Sequence, residues 1–80
     1  MNYSTTLKSD KAVISPRESE VLKLIAFEHS SKQIARELSL SVETINSHRK
    51  NLMRKLDVAN TAGLVRRSFE MGILQLKSFN

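Results

Sequence analysis

The sequence predicts an all-α chain of four helices. In four separate stretches apolar residues recur at three- and four-residue spacing, and no stretch alternates apolar and polar residues as a half-buried strand would. Each stretch follows a residue suited to cap a helix: Ser15, Ser30, Ser41 and Asn60. Two of the stretches are joined by Ser39-Leu40-Ser41, a link too short for anything but a turn.

The first helix is expected from Pro16 to about Phe27. Ser15 can cap it, Pro16 gives up an N–H that would be orphaned anyway, and Glu18 can return a bond to the Ser15 N–H. Val21, Leu22 and Ile25 face one way, with Leu24 at the flank and Phe27 beside the core. No Gly follows, so Glu28 or His29 is expected to take the left-handed conformation, at about 1–2 kcal/mol. The second helix runs from about Ser31 to Leu38, with Ser30 and Gln33 repeating the capping box and Ile34, Ala35 and Leu38 on its apolar side. The third runs from Val42 to about Leu56, capped by Ser41, with Glu43 in the first turn where the helix dipole favours an acid. The last runs from about Thr61 to Met71 with Gly72 as its stop, and Ile73, Leu74 and Leu76 fold back as an apolar lid.

Ser30–Leu56 therefore reads as a helix-turn-helix, whose second helix enters a DNA major groove. That helix has two faces. Ile45, Leu52 and Leu56 form a narrow apolar stripe, with Val42 and Met53 beside it and Arg49 laying its stem there with its head turned outward. Opposite lie Asn46, Ser47, Lys50, Asn51 and Arg54. Short amides and hydroxyls fall in the N-terminal half, where base edges are read, and long cations cluster toward the C-terminal half, where a backbone is held.

Composition narrows the function classes. Eighty residues make one domain at most, and a chain of this size buries only about 60–65% of the surface its unfolded form exposes. It has no cysteine, hence no disulfide and no thiolate chemistry. No apolar run approaches the roughly 18 residues of a membrane span, and the N-terminus lacks the apolar core of a signal peptide. A net charge of +5 favours polyanionic partners. His29 and His48 stand far apart without partners at metal-ligand spacing, so no metal site or cofactor is expected. Gly63 and Gly72 are the only glycines, which excludes a Gly-rich phosphate loop, and nothing supplies a nucleophile elbow; the chain is not expected to be an enzyme.

The residues resemble the LuxR-type, also called GerE-type, helix-turn-helix domain of bacterial transcription regulators. The resemblance rests on Ile14-Ser15-Pro16-Arg17-Glu18, Val21–Ala26, Ser30, Lys32-Gln33-Ile34-Ala35, Leu38, Ser41, Thr44-Ile45, His48, Asn51-Leu52, Lys55-Leu56 and Val58. The run from His48 to Val65 is similar to output domains of two-component response regulators. The resemblance implies base contacts from Asn46, Ser47 and Lys50, and backbone contacts from Ser30, Lys32, Thr44, His48, Asn51 and Lys55. Glu18 and Arg49 would support the fold, with a phosphate contact the other reading of Arg49. It also implies double-stranded DNA as ligand, homodimers formed through the last helix, RNA polymerase as a further partner, and a cytoplasmic, nucleoid-associated location. This chain departs from the pattern at Asn46, often Lys, at Glu28, usually Gly, and at Thr61, commonly Arg.

On the last helix Leu64, Ser68 and Met71 turn toward the core, while Ala62, Val65, Arg66 and Phe69 lie on the neighbouring side and form the expected dimer patch. The other reading of Phe69 folds it under the Ile73–Leu76 tail. The expected layout is a flexible arm over residues 1–13, the DNA-binding domain over 14–76 and a frayed end over 77–80. A free-standing effector and a piece of a longer regulator fit equally. The runner-up function is a small interaction protein that pairs with another regulator and modulates it. RNA binding is disfavoured by the scarcity of aromatic residues for stacking, four in all.

Overall fold

The computed structural model describes residues 13–75. The expected N-terminal arm, apart from Val13, lies outside the described residues, as do Leu76 of the apolar lid and the C-terminal end from 77 to 80. Among the described residues there are four helices and no strand: α1 Pro16–Ala26, α2 Ser31–Leu38, α3 Val42–Leu56 and α4 Thr61–Glu70.

Every start follows from a side-chain cap. Ser15 Oγ accepts the Glu18 N–H at 3.1 Å while Glu18 Oε1 accepts the Ser15 N–H at 3.0 Å. Ser30 and Gln33 make the same reciprocal pair at 3.1 and 2.8 Å. Ser41 Oγ accepts the Thr44 N–H at 3.0 Å, and Asn60 Oδ1 accepts that of Gly63 at 2.8 Å. Each cap satisfies one of the orphan donors of a helix's first turn.

The four helices also end alike. Beyond each, one residue turns left-handed and the next donates its N–H to a carbonyl five residues back. The left-handed residues are Glu28 (φ 69°), Ser39 (φ 57°), Asp57 (φ 57°) and Gly72 (φ 77°). The bonds are His29 to Leu24 (3.1 Å), Leu40 to Ala35 (2.9 Å), Val58 to Met53 (3.0 Å) and Ile73 to Ser68 (2.9 Å). This is a Schellman closure, in which the donating residue usually makes an apolar contact back onto the last turn. Leu40, Val58 and Ile73 do pack against the core. The fourth such position holds His29, and its buried Nδ1 has no hydrogen-bond partner.

One core serves all four helices. It contains Val21, Leu22 and Ile25 of α1, Ile34 and Ala35 of α2, Ile45, Leu52 and Leu56 of α3, Leu64 of α4, and Leu74 from the returning chain. Ser68 is also fully buried, which its hydroxyl tolerates by donating to the Leu64 carbonyl at 2.7 Å. Two expectations need adjustment. Phe27 is not beside the core: α1 stops at Ala26, and Phe27 is 45% exposed. It continues the outer line of Glu20 and Lys23, which helical periodicity sets opposite the Val21/Ile25 stripe. The end of α4 is Glu70, with Met71 already its cap.

Candidate nucleic-acid interface

α2, the Ser39-Leu40-Ser41 turn and α3 form one packed unit. Ile34 and Ala35 on one side and Ile45 on the other are buried, and the half-buried Leu40 is packed against the same core. The turn is therefore held from inside, and it fixes how α3 projects.

Ile45, Leu52 and Leu56 are at most 2% exposed. At about 100° per residue, Glu43, Ser47, Lys50 and Arg54 form the ridge facing directly away from them, and all four are exposed. Asn46, also exposed, stands beside that ridge. Thr44, His48, Asn51 and Lys55 fall on one flank, within about 60° of one another, and all are half-buried. The three residues expected at bases and the flank expected at the backbone thus sit on adjoining strips of one helix.

The four cations of α3 are not equivalent. The Arg49 Nη2 donates to Thr61 Oγ1 at 3.0 Å, tying α3 to the first residue of α4; its head is held there rather than simply turned out to solvent. The Lys55 ammonium donates to Glu18 Oε1 at 2.7 Å and to the Val13 carbonyl at 3.1 Å, so it faces the start of α1. Arg54 Nη2 donates to Asn51 Oδ1 at 2.8 Å, which leaves the Asn51 amide hydrogens as its remaining donors. Lys50 is exposed, with no carboxylate within 4.0 Å among the described residues. The outward charge of the ridge is therefore Lys50 and Arg54, with Glu43 in the first turn.

At the start of α2, Ser30 and Lys32 are exposed. Ser30 Oγ caps the helix, and the Ser41 hydroxyl donates to Thr44 Oγ1 at 2.9 Å in the corresponding place on α3. Two helix N-termini, each with free N–H groups of positive character, accompany the α3 ridge.

Glu18 is buried beneath this surface. Burial alone would raise its pKa, but the hydrogen bond from Lys55, the Ser15 N–H and the Lys55 charge outweigh it and hold the carboxyl below its ordinary value. The pairing spans 37 residues of sequence and gives no local signal. The Asn51–Arg54 pair is different, because its three-residue spacing on a helix is legible in sequence. Among the described residues, no group of three or more His, Cys, Asp or Glu is placed to hold a metal, and no helix is long and apolar enough to cross a membrane.

On α4, Ala62 and Arg66 are exposed, while Val65 and Phe69 are half-buried against the core. Arg66 Nη1 lies 2.8 Å from Glu70 Oε2.

Comparison with known proteins points the same way as this geometry. Residues 12–68 match the family model described as bacterial regulatory proteins, luxR family. The chain is 43% identical over 61 residues to the transcriptional regulatory protein MctR of Rhizobium johnstonii, covering 76% of this chain and 28% of that protein. It is 46% identical over 57 residues to the uncharacterized response regulatory protein YgeK of Escherichia coli, covering 71% of this chain and 39% of the relative. With the transcriptional activator protein CarR of Pectobacterium carotovorum it shares 37% identity over 65 residues, 81% of this chain and 27% of CarR. The chain thus spans less than two fifths of the length of these relatives.

Proposed function

The chain belongs to the luxR family of bacterial regulatory proteins, and from that membership we propose that it binds double-stranded DNA sequence-specifically and so regulates transcription. α3 is the recognition helix. The observation that carries this reading is the ridge of α3: polar and cationic side chains with hydrogen-bonding capacity, facing directly away from a buried stripe and braced by α1, α2 and α4. Lys55–Glu18 on one flank and Arg49–Thr61 beside the buried stripe hold α3 to α1 and α4, so the ridge is presented rigidly.

In this docking Asn46, Ser47 and Lys50 meet base edges. Asn suits adenine, Lys suits guanine, and Ser serves either. Ser30 and Lys32 at the start of α2, with Thr44, His48 and Asn51 on the α3 flank, meet phosphate and fix the register. Lys55 acts on DNA mainly through Glu18, by holding the last turn of α3 in place. The active unit is a homodimer through Ala62, Val65, Arg66 and Phe69 of α4. The Arg66–Glu70 pair supports this arrangement, because Glu70, which also lies 3.5 Å from Arg67, draws the Arg66 charge along its own helix and lessens its repulsion from its own copy across the two-fold axis.

The test compares affinity for a duplex selected from a random pool, an unselected duplex and a single strand of the same composition. The expected order is selected duplex first, by at least about a thousandfold over unselected duplex at matched salt. Equal affinity for the two duplexes overturns sequence-specific recognition. Preference for the single strand overturns duplex binding itself.

A further inference from the structure

One residue of the α3 ridge has the wrong sign for its surroundings. Glu43 is exposed in the first turn. It shares the outward ridge with Ser47, Lys50 and Arg54. No Lys, Arg or His nitrogen lies within 4.0 Å of its carboxylate among the described residues. The helix dipole accounts for an acid somewhere in this turn, but it does not select the position that points away from the core.

Resting on the proposed docking of α3, Glu43 is carried into the groove, since the N-terminal residues of a recognition helix are those that reach base edges. An ionised carboxylate is an acceptor only. Facing a polyanion, it is tolerated where a donor meets it. The major-groove edges offer two such donors, the cytosine N4 amino group and the adenine N6 amino group. Adenine's amino group lies between two acceptors, its own N7 and the O4 of the paired thymine. Cytosine's is flanked by an acceptor on one side only, the O6 of the paired guanine. A carboxylate is therefore repelled less at cytosine.

We infer that Glu43 is a specificity-determining residue that accepts a hydrogen bond from a cytosine N4 amino group. At a position without that donor its charge is uncompensated, so it also penalises wrong registers.

The experiment selects bound duplexes from a random pool with the full chain and with Glu43→Gln and Glu43→Ala. Helical circular dichroism confirms that each is folded; Glu43 lies outside the core, and Glu43→Gln keeps its shape. The parent is expected to favour a C·G pair at one position by about tenfold over other pairs. Glu43→Gln is expected to shift that position toward A·T, because a Gln amide both donates and accepts as the adenine edge requires. Glu43→Ala is expected to lose preference there alone. An unchanged consensus in both variants, with Glu43→Ala binding all duplexes more tightly by one common factor, overturns the inference and leaves the docking standing. A parent that selects no consensus overturns the docking, and the inference with it.

Discussion

The Lys55 ammonium lies 2.7 Å from Glu18 Oε1, joining the last turn of α3 to the capping box that starts α1. Replacing Lys55 by Met is expected to cost about 1–3 kcal/mol, since the nearly buried carboxylate loses its charged donor. The Glu18 pKa is lowered in the folded chain, so its contribution to stability is present above the unfolded carboxyl pKa, about 4.3, and is lost as pH falls through the lower folded value. Urea melts at pH 7 and at stepwise lower pH check this. The parent's excess stability over Lys55→Met is expected to shrink below about pH 4, whereas an excess that grows on acidification contradicts the pairing.

Glu28, Ser39 and Asp57 hold left-handed backbone at helix ends without being glycine. Glu28→Gly is expected to stabilise the chain by about 1 kcal/mol, the relief of a β-carbon clash. Thermal melting should show a rise of about 4–8 °C for a domain of this size. Ala at the same position gains nothing, because it keeps the β-carbon.

His29 fills the position that Leu40, Val58 and Ile73 fill at the other three helix ends, and its buried Nδ1 has no partner. His29→Leu is expected to add about 1 kcal/mol, because an apolar group of similar size removes the unsatisfied nitrogen. Equilibrium urea unfolding measures this directly. A loss of stability would show that the imidazole is held by an interaction the Leu side chain cannot replace.

For the dimer, Ala62→Glu is a cleaner probe than Phe69→Glu, because Ala62 is exposed whereas Phe69 packs against the core. It is expected to leave helicity unchanged and to abolish cooperative filling of two adjacent half-sites. Cooperativity equal to the parent's removes α4 as the dimer surface.

Local chemistry made most of the fold legible. Ser15 with Glu18, Ser30 with Gln33, Ser41 and Asn60 each act within three residues, so the helix starts follow from short windows of sequence. The absence of Gly after α1 pointed to a left-handed residue, found at Glu28. Periodicity identified the stripe on α3 and with it the opposite ridge. What remained hidden depends on contacts distant in sequence. The family resemblance sets Lys55 among the backbone contacts, and nothing local in the sequence pairs it with Glu18 of α1 or ties Arg49 to Thr61 of the next helix. Phe27 falls in line with Glu20 and Lys23, opposite the Val21/Ile25 stripe, so its outward direction follows from helical spacing and its apolar character alone misleads.

In the proposed docking, α3 reads bases while the start of α2 holds the backbone. The most direct measurement is the affinity of Asn46→Ala, Lys50→Ala and Lys32→Ala for a selected duplex and its single-base variants across a salt series. Asn46→Ala and Lys50→Ala are expected to relax preference at particular positions by about 1–3 kcal/mol. Lys32→Ala is expected to weaken all the duplexes alike and to reduce the salt slope by about one phosphate contact. Uniform weakening by all three variants, with base preference intact, would contradict it.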